Sequence, residues 1–99
     1  MALPEPRLPI ISGKKAVTAA GTAERLAAAS INAKWTLVQA IPANTSRIAV
    51  GGVGVDETAA SVKGTILYPG EMVLLPIDPY NIYADPAVNG EGVTYNVLT

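Results

Sequence analysis

Few residues in this chain have the chemistry to do more than pack. Gly51-Gly52-Val53-Gly54 follows an apolar run, where a phosphate-cradling loop would sit. Such a loop also needs a helix opening behind it and a lysine aimed at the phosphate. Here Val55-Asp56-Glu57 follows, with no helical pattern and no lysine in place. The glycines therefore read as the bend where a strand leaves its sheet. Asp56 with Glu57, and Asp78 with Asp85 and Glu91, offer the oxygen ligands that calcium takes. They lack the alternating spacing of a calcium loop and lie in Gly- and Pro-rich turns, so they read as solvated turn acids. The same placement argues against a hydrolase built on paired carboxylates, which needs a cleft to raise one pKa.

The chain has no histidine and no cysteine. That removes the usual general base, the commonest transition-metal ligand, the thiolate nucleophile and any disulfide framework. Serines and threonines are plentiful, but nothing beside them would activate a hydroxyl. A small cupin-like metal enzyme fails for want of histidines. The expectation is a protein that is not an enzyme, with no cofactor and no metal. A net charge of −1 without a basic run lacks the footprint of a nucleic-acid binder. No apolar run approaches the roughly 20 residues of a membrane span, and the start lacks the basic-then-apolar pattern of a secretory signal. We expect a soluble chain made in the cytosol.

The elements that must position these residues centre on Lys34 to Ile77. Lys34-Trp35-Thr36-Leu37-Val38-Gln39-Ala40-Ile41 is apolar and β-branched and stops at Pro42. A turn over 42–46 hands over to Arg47-Ile48-Ala49-Val50. After the glycine bend the chain returns through Thr65-Ile66-Leu67-Tyr68, turns at Pro69-Gly70, and leaves as Glu71-Met72-Val73-Leu74-Leu75-Pro76-Ile77. This reads as an antiparallel block. Lys14 to Ala20 reads as a strand before it. Ile82-Tyr83-Ala84 and the cleanly alternating Val93 to Leu98 read as strands after it, with Asn89-Gly90 a turn pair. Asp56 to Gly64 reads as a loose loop of small residues. Ala23 to Ser30 has helical propensity, but two turns of isolated helix are marginal and pairing in a β chain favours a strand. Turn signals every 8–12 residues or so predict seven or eight short strands, an all-β fold: a small antiparallel β-sandwich or barrel.

Residues 1–13 stand apart from the single domain over 14–99. Pro4, Pro6 and Pro9 forbid a helix and push the residues before them toward extended backbone. Yet Leu3, Leu8, Ile10 and Ile11 are apolar. The segment reads either as a partly disordered terminus or a strand lying on its own domain, or as an extended arm on a neighbouring subunit. In the second case Leu3, Pro4, Leu8, Pro9, Ile10 and Ile11 are the contact residues.

A second line of reasoning also points to self-association. Only 15% of the 99 residues are charged, against the roughly 25% usual for soluble domains. Trp35, Leu37 and Gln39 share one face of their strand; Thr36, Val38 and Ala40 share the other. Met72 to Leu75 repeats that two-sided apolar pattern. A small sandwich has one inner face per sheet, so an outer face is expected to be covered by copies of the chain. Trp35 and Tyr95 are expected in the core or pinning turns. Tyr68, Tyr80 and Tyr83, near loops, are interface candidates with Met72 and Leu74. A stacking platform for sugars is the other use of these rings.

The segments Gly21-Thr22-Ala23-Glu24-Arg25-Leu26, Lys34 to Ala40, Asn44 to Gly52, Gly64 to Glu71 and Ile82-Tyr83 resemble small virion structural proteins of tailed bacteriophages. The resemblance is strongest to capsid decoration (cement) proteins with a jelly-roll-like β-sandwich. It spans about Lys14 to Leu98 and lies in strands and turns; the Pro-rich start falls outside it. It implies a homotrimer seated on the outer capsid surface, made in the host cytoplasm and fastening adjacent subunits of the major capsid protein. Related sandwiches in phage neck, tail and fibre parts, or a host-glycan-binding module, are the alternative.

Overall fold

The structure is a computed structural model describing residues 11–98. Eight strands run in chain order: β1 (Ile11–Ala16), β2 (Glu24–Arg25), β3 (Trp35–Ala40), β4 (Ile48–Gly51), β5 (Thr65–Leu67), β6 (Met72–Leu75), β7 (Tyr83–Pro86) and β8 (Gly92–Leu98). They form two four-stranded antiparallel sheets. Sheet A has the order β1-β8-β3-β6 and sheet B the order β2-β7-β4-β5. The first strand thus pairs with the last, the second with the seventh, the third with the sixth and the fourth with the fifth. A chain folded in half at the β4–β5 connection and then rolled up has this order, which is that of an eight-stranded jelly roll.

The rolling corrects the reading of residues 34–77 as one continuous block. β3 and β4 lie in different sheets, as do β5 and β6, and only β4 and β5 pair as sequence neighbours. The two-residue-period pattern survives this division. Val38, Ala40, Ile48, Val50, Leu67, Ala84 and Val93 point between the sheets with Val17, Leu26 and Ile82. All ten are buried, and their removal from water is the main stabilising term of the domain. Tyr95 packs against this cluster as expected.

Two boundaries move. β1 includes Ile11, Ser12 and Gly13, which the sequence assigns to the arm, and ends at Ala16 rather than Ala20. Of Ala23 to Ser30 only Glu24 and Arg25 are strand. The rest is not helix; distant residues hold the backbone at its start and just beyond its end. Leu26 N–H donates to the Ile82 carbonyl at 2.8 Å, and the Asp78 carboxylate accepts from Ile31 N–H at 3.0 Å and Ala33 N–H at 2.8 Å. The open edge between β1 and β2 is closed by an ion pair, Lys15 Nζ to Glu24 at 2.9 Å.

Gly92 shows how tightly β1 and β8 meet. A Cβ there would lie 1.8 Å from the Lys15 carbonyl oxygen, so no other residue fits. The buried Asn44 side chain clamps the same glycine, donating to its carbonyl at 2.9 Å.

Candidate functional site

The outward sides of the two sheets differ. On sheet B, Ala49 and Asp85 point away from the core, yet Ala49 is fully buried and Asp85 is 1% exposed. The chain itself covers them. The Asp85 carboxylate accepts from Gly21 N–H at 2.8 Å and from Glu57 N–H at 3.2 Å, tying two loops onto the sheet. Arg47 forms an ion pair with Glu57 at 3.3 Å and also donates to its carbonyl. Asp56 and Lys63 pair as a short bridge, and Val55 packs against Gly51 and Gly64. A Cβ on Gly64, whose φ is +102°, would meet Val55 at 2.8 Å, so glycine is required there. Asp56 to Gly64 is therefore a fastened cover over sheet B, where the sequence suggests a loose loop.

The acids are correspondingly different from solvated turn residues. Burial alone would push the Asp78 carboxyl up. The N–H groups of Tyr80, Ala33 and Ile31 and the Ser30 hydroxyl together outweigh that and hold it below its ordinary value. Glu91 is lowered in the same way: donors on Thr45 and Ser46 offset its burial and fasten the 42–46 turn to the start of β8. These carboxylates are spent on backbone donors. The signal that could have shown this is the pair Asp78-Pro79 and Asp85-Pro86. An aspartate before proline suits a cap, and Asp78 does cap the 3-10 turn Pro79–Asn81.

On sheet A no described residue covers the outward side. Register places Leu98 beside Trp35, Leu37 between Asn96 and Leu74, and Gln39 between Thr94 and Met72. Met72, Leu74 and Leu98 are each more than half exposed, and Trp35 is 42% exposed. Trp35 thus lies outside the core in which the sequence places it. Its strand is anchored by the opposite face, where Thr36, Val38 and Ala40 are fully buried. A depression of about 450 Å³ lies on this outward side, lined by Ser12, Trp35, Leu37, Leu74, Asn96 and Leu98. Only the Ser12–Asn96 pair, hydrogen-bonded at 2.5 Å, interrupts its apolar lining.

The interface candidates separate into three places. Met72 and Leu74 belong to this outer face. Tyr80 and Tyr83 flank Arg25 elsewhere, its guanidinium 4.0 Å from the Tyr80 ring centre and hydrogen-bonded to the Tyr83 hydroxyl. Tyr68, more than half exposed, borders a shallow hollow between β5 and the sheet B cover. Ile11 is the first described residue and pairs with Val97. Leu3, Pro4, Leu8, Pro9 and Ile10 lie outside the described residues. Among the described residues no group of three or more acids, histidines or cysteines could hold a metal ion, and no helix is long and apolar enough to cross a membrane.

Fold and site together define a small jelly-roll domain in which loops cover the centre of one sheet's outward face, while among the described residues the other face is uncovered and apolar. No family model, curated protein or solved structure matches the chain.

Proposed function

We propose that this chain is a non-enzymatic assembly protein that self-associates through the outer face of sheet A and works as a phage capsid decoration protein. The observation that carries the reading is the exposed set of Trp35, Leu74, Met72 and Leu98 on a fold whose own loops bury Ala49 and Asp85 at the centre of its other sheet. A domain this size gains nothing in solution from such a patch, whereas an oligomer or a lattice buries it. The capsid is the partner because of the sequence resemblance described above, and a trimer is the expected assembly. Three linked copies would bind one lattice point with an avidity no single copy has. In this role the protein resides on the virion surface, its partners being copies of itself and the major capsid protein.

Sedimentation tests the reading. Purified protein is incubated with undecorated shells and, separately, with host cells. The expected result is co-sedimentation with shells alone, at a fixed ratio that saturates. Protein that stays in the supernatant with shells overturns the capsid role.

One observation favours a second reading, a glycan-binding module. Trp35 presents a partly exposed ring next to the polar Ser12–Asn96 pair, which is how a site stacks and hydrogen-bonds a sugar. Attachment to cells but not to shells would select that reading.

A further inference from the structure

We propose that the depression on the outer face of sheet A receives the N-terminal segment, Met1 to Ile10, of a second copy of this chain. The inference rests on the self-association reading above and names what does the covering. Three observations carry it.

The first is where the chain enters the sheet. Ile11 pairs with Val97, one residue short of Leu98, and Ser12 lines the depression. The described chain therefore begins at the rim of this face, at the end of the sheet where Leu98 and Trp35 lie.

The second is reach and direction. Ten residues in an extended, polyproline-like form span roughly 31 Å. Four strands at about 4.8 Å spacing put the outermost strand axes only about 14 Å apart. The segment is thus long enough to cross a whole sheet face. To cover its own face it would have to reverse at the sheet's end. Pro9 fixes its own φ and pushes Leu8 to extended backbone, which favours a chain that runs on past the sheet's end. The direction this favours is outward, to another molecule.

The third is chemical match. The segment carries two Leu-Pro pairs, Leu3-Pro4 and Leu8-Pro9, about 15 Å apart in that extended form. Proline-rich segments dock in grooves lined by aromatic residues, at little entropic cost because they are already stiff. Here Trp35 supplies the ring, while Leu37, Leu74 and Leu98 supply an apolar floor. Glu5 and Arg7 cancel in charge, so nothing in the segment opposes an uncharged depression.

Trp35 is the single tryptophan of the chain, so its fluorescence reports directly on the site. The test uses the full chain and two variants, Leu8→Asp in the segment and Leu74→Asp in the face, with association followed by sedimentation velocity. Wild type should associate, with Trp35 emission shifting to the blue as concentration rises. Each variant alone should be monomeric with red-shifted emission. Mixed together, they should recover a heteromer, because Leu8→Asp still offers an intact face and Leu74→Asp an intact segment.

The outcomes separate the two proposals. If Leu74→Asp is monomeric but Leu8→Asp still associates, the faces bind each other directly: self-association stands and the segment's role falls. If both variants are monomeric and the mixture stays so, exchange between copies is overturned. If neither variant changes the association of wild type, or wild type is itself monomeric, both proposals fall.

Discussion

The outward faces of the two sheets have different fates. On sheet B the side chain of Asp85 is directed away from the core and then buried by loops that donate two backbone N–H groups to it. On sheet A the equivalent side carries Trp35, Leu37, Met72, Leu74 and Leu98, and no described residue lies over them. One face is finished within the chain by polar staples, which demand exact partners. The other is left apolar, a surface that any complementary apolar shape can cover. Exposure on this molecule is therefore uneven by construction: the loops carrying Gly21 and Glu57 both fold onto sheet B.

Four measurements would break or sharpen that comparison. The largest effect should come from Asp85→Ala, which leaves the N–H groups of Gly21 and Glu57 without their acceptor. Urea unfolding should report a loss of about 3 kcal/mol. A loss near zero would mean the cover of sheet B is not held by this carboxylate. Next is Val38→Ala on the inner side of β3, expected to cost about 2 kcal/mol by the same measurement, through lost burial and the space left behind.

A smaller effect concerns the loop acids. Asp78 has a folded pKa held below its unfolded value of about 3.9. Its contribution is complete above that value and is lost as pH falls through the lower, folded one. Urea midpoints followed from about pH 5 down to about pH 2 should therefore decline, and Asp78→Asn should flatten part of that decline. An unchanged slope in the variant would remove Asp78 from the account. The smallest effect on stability should be Leu74→Ser on the open face, within about 0.5 kcal/mol for the monomer. A large loss there would show that Leu74 supports the fold and would make the face a poor docking site.

Much of the fold is written in local pattern. β3, β4, β5, β6 and β8 fall where apolar alternation and the Pro and Gly turns place them, within a residue or two. Val93 and Val97 point inward and Asn96 outward as their spacing requires. The site was legible only in part. Met72 and Leu74 stand out from their two-sided strand, and the excess of apolar surface for one small sandwich is visible in composition. Trp35 was not legible, because Trp35-Thr36-Leu37-Val38 alternates bulky and branched residues on both sides. Period alone does not say which side faces the core. The burial of Asp78 and Asp85 is hidden from local pattern for a related reason: a carboxylate in a turn is solvated or buried according to which distant N–H groups arrive at it.

The sequence by itself determined an all-β chain of short strands, the absence of the imidazole and thiol groups most catalysis uses, and an apolar surplus. These follow from side-chain chemistry and two-residue periodicity, which are local. Tertiary structure alone decided that β1 would meet β8 and β2 meet β7, that Asp85 would be sealed, and that Trp35 would face outward. Those outcomes depend on contacts between residues far apart in the chain, such as Gly21 with Asp85, a separation of 64 positions. No local preference encodes which of two apolar faces the loops will reach.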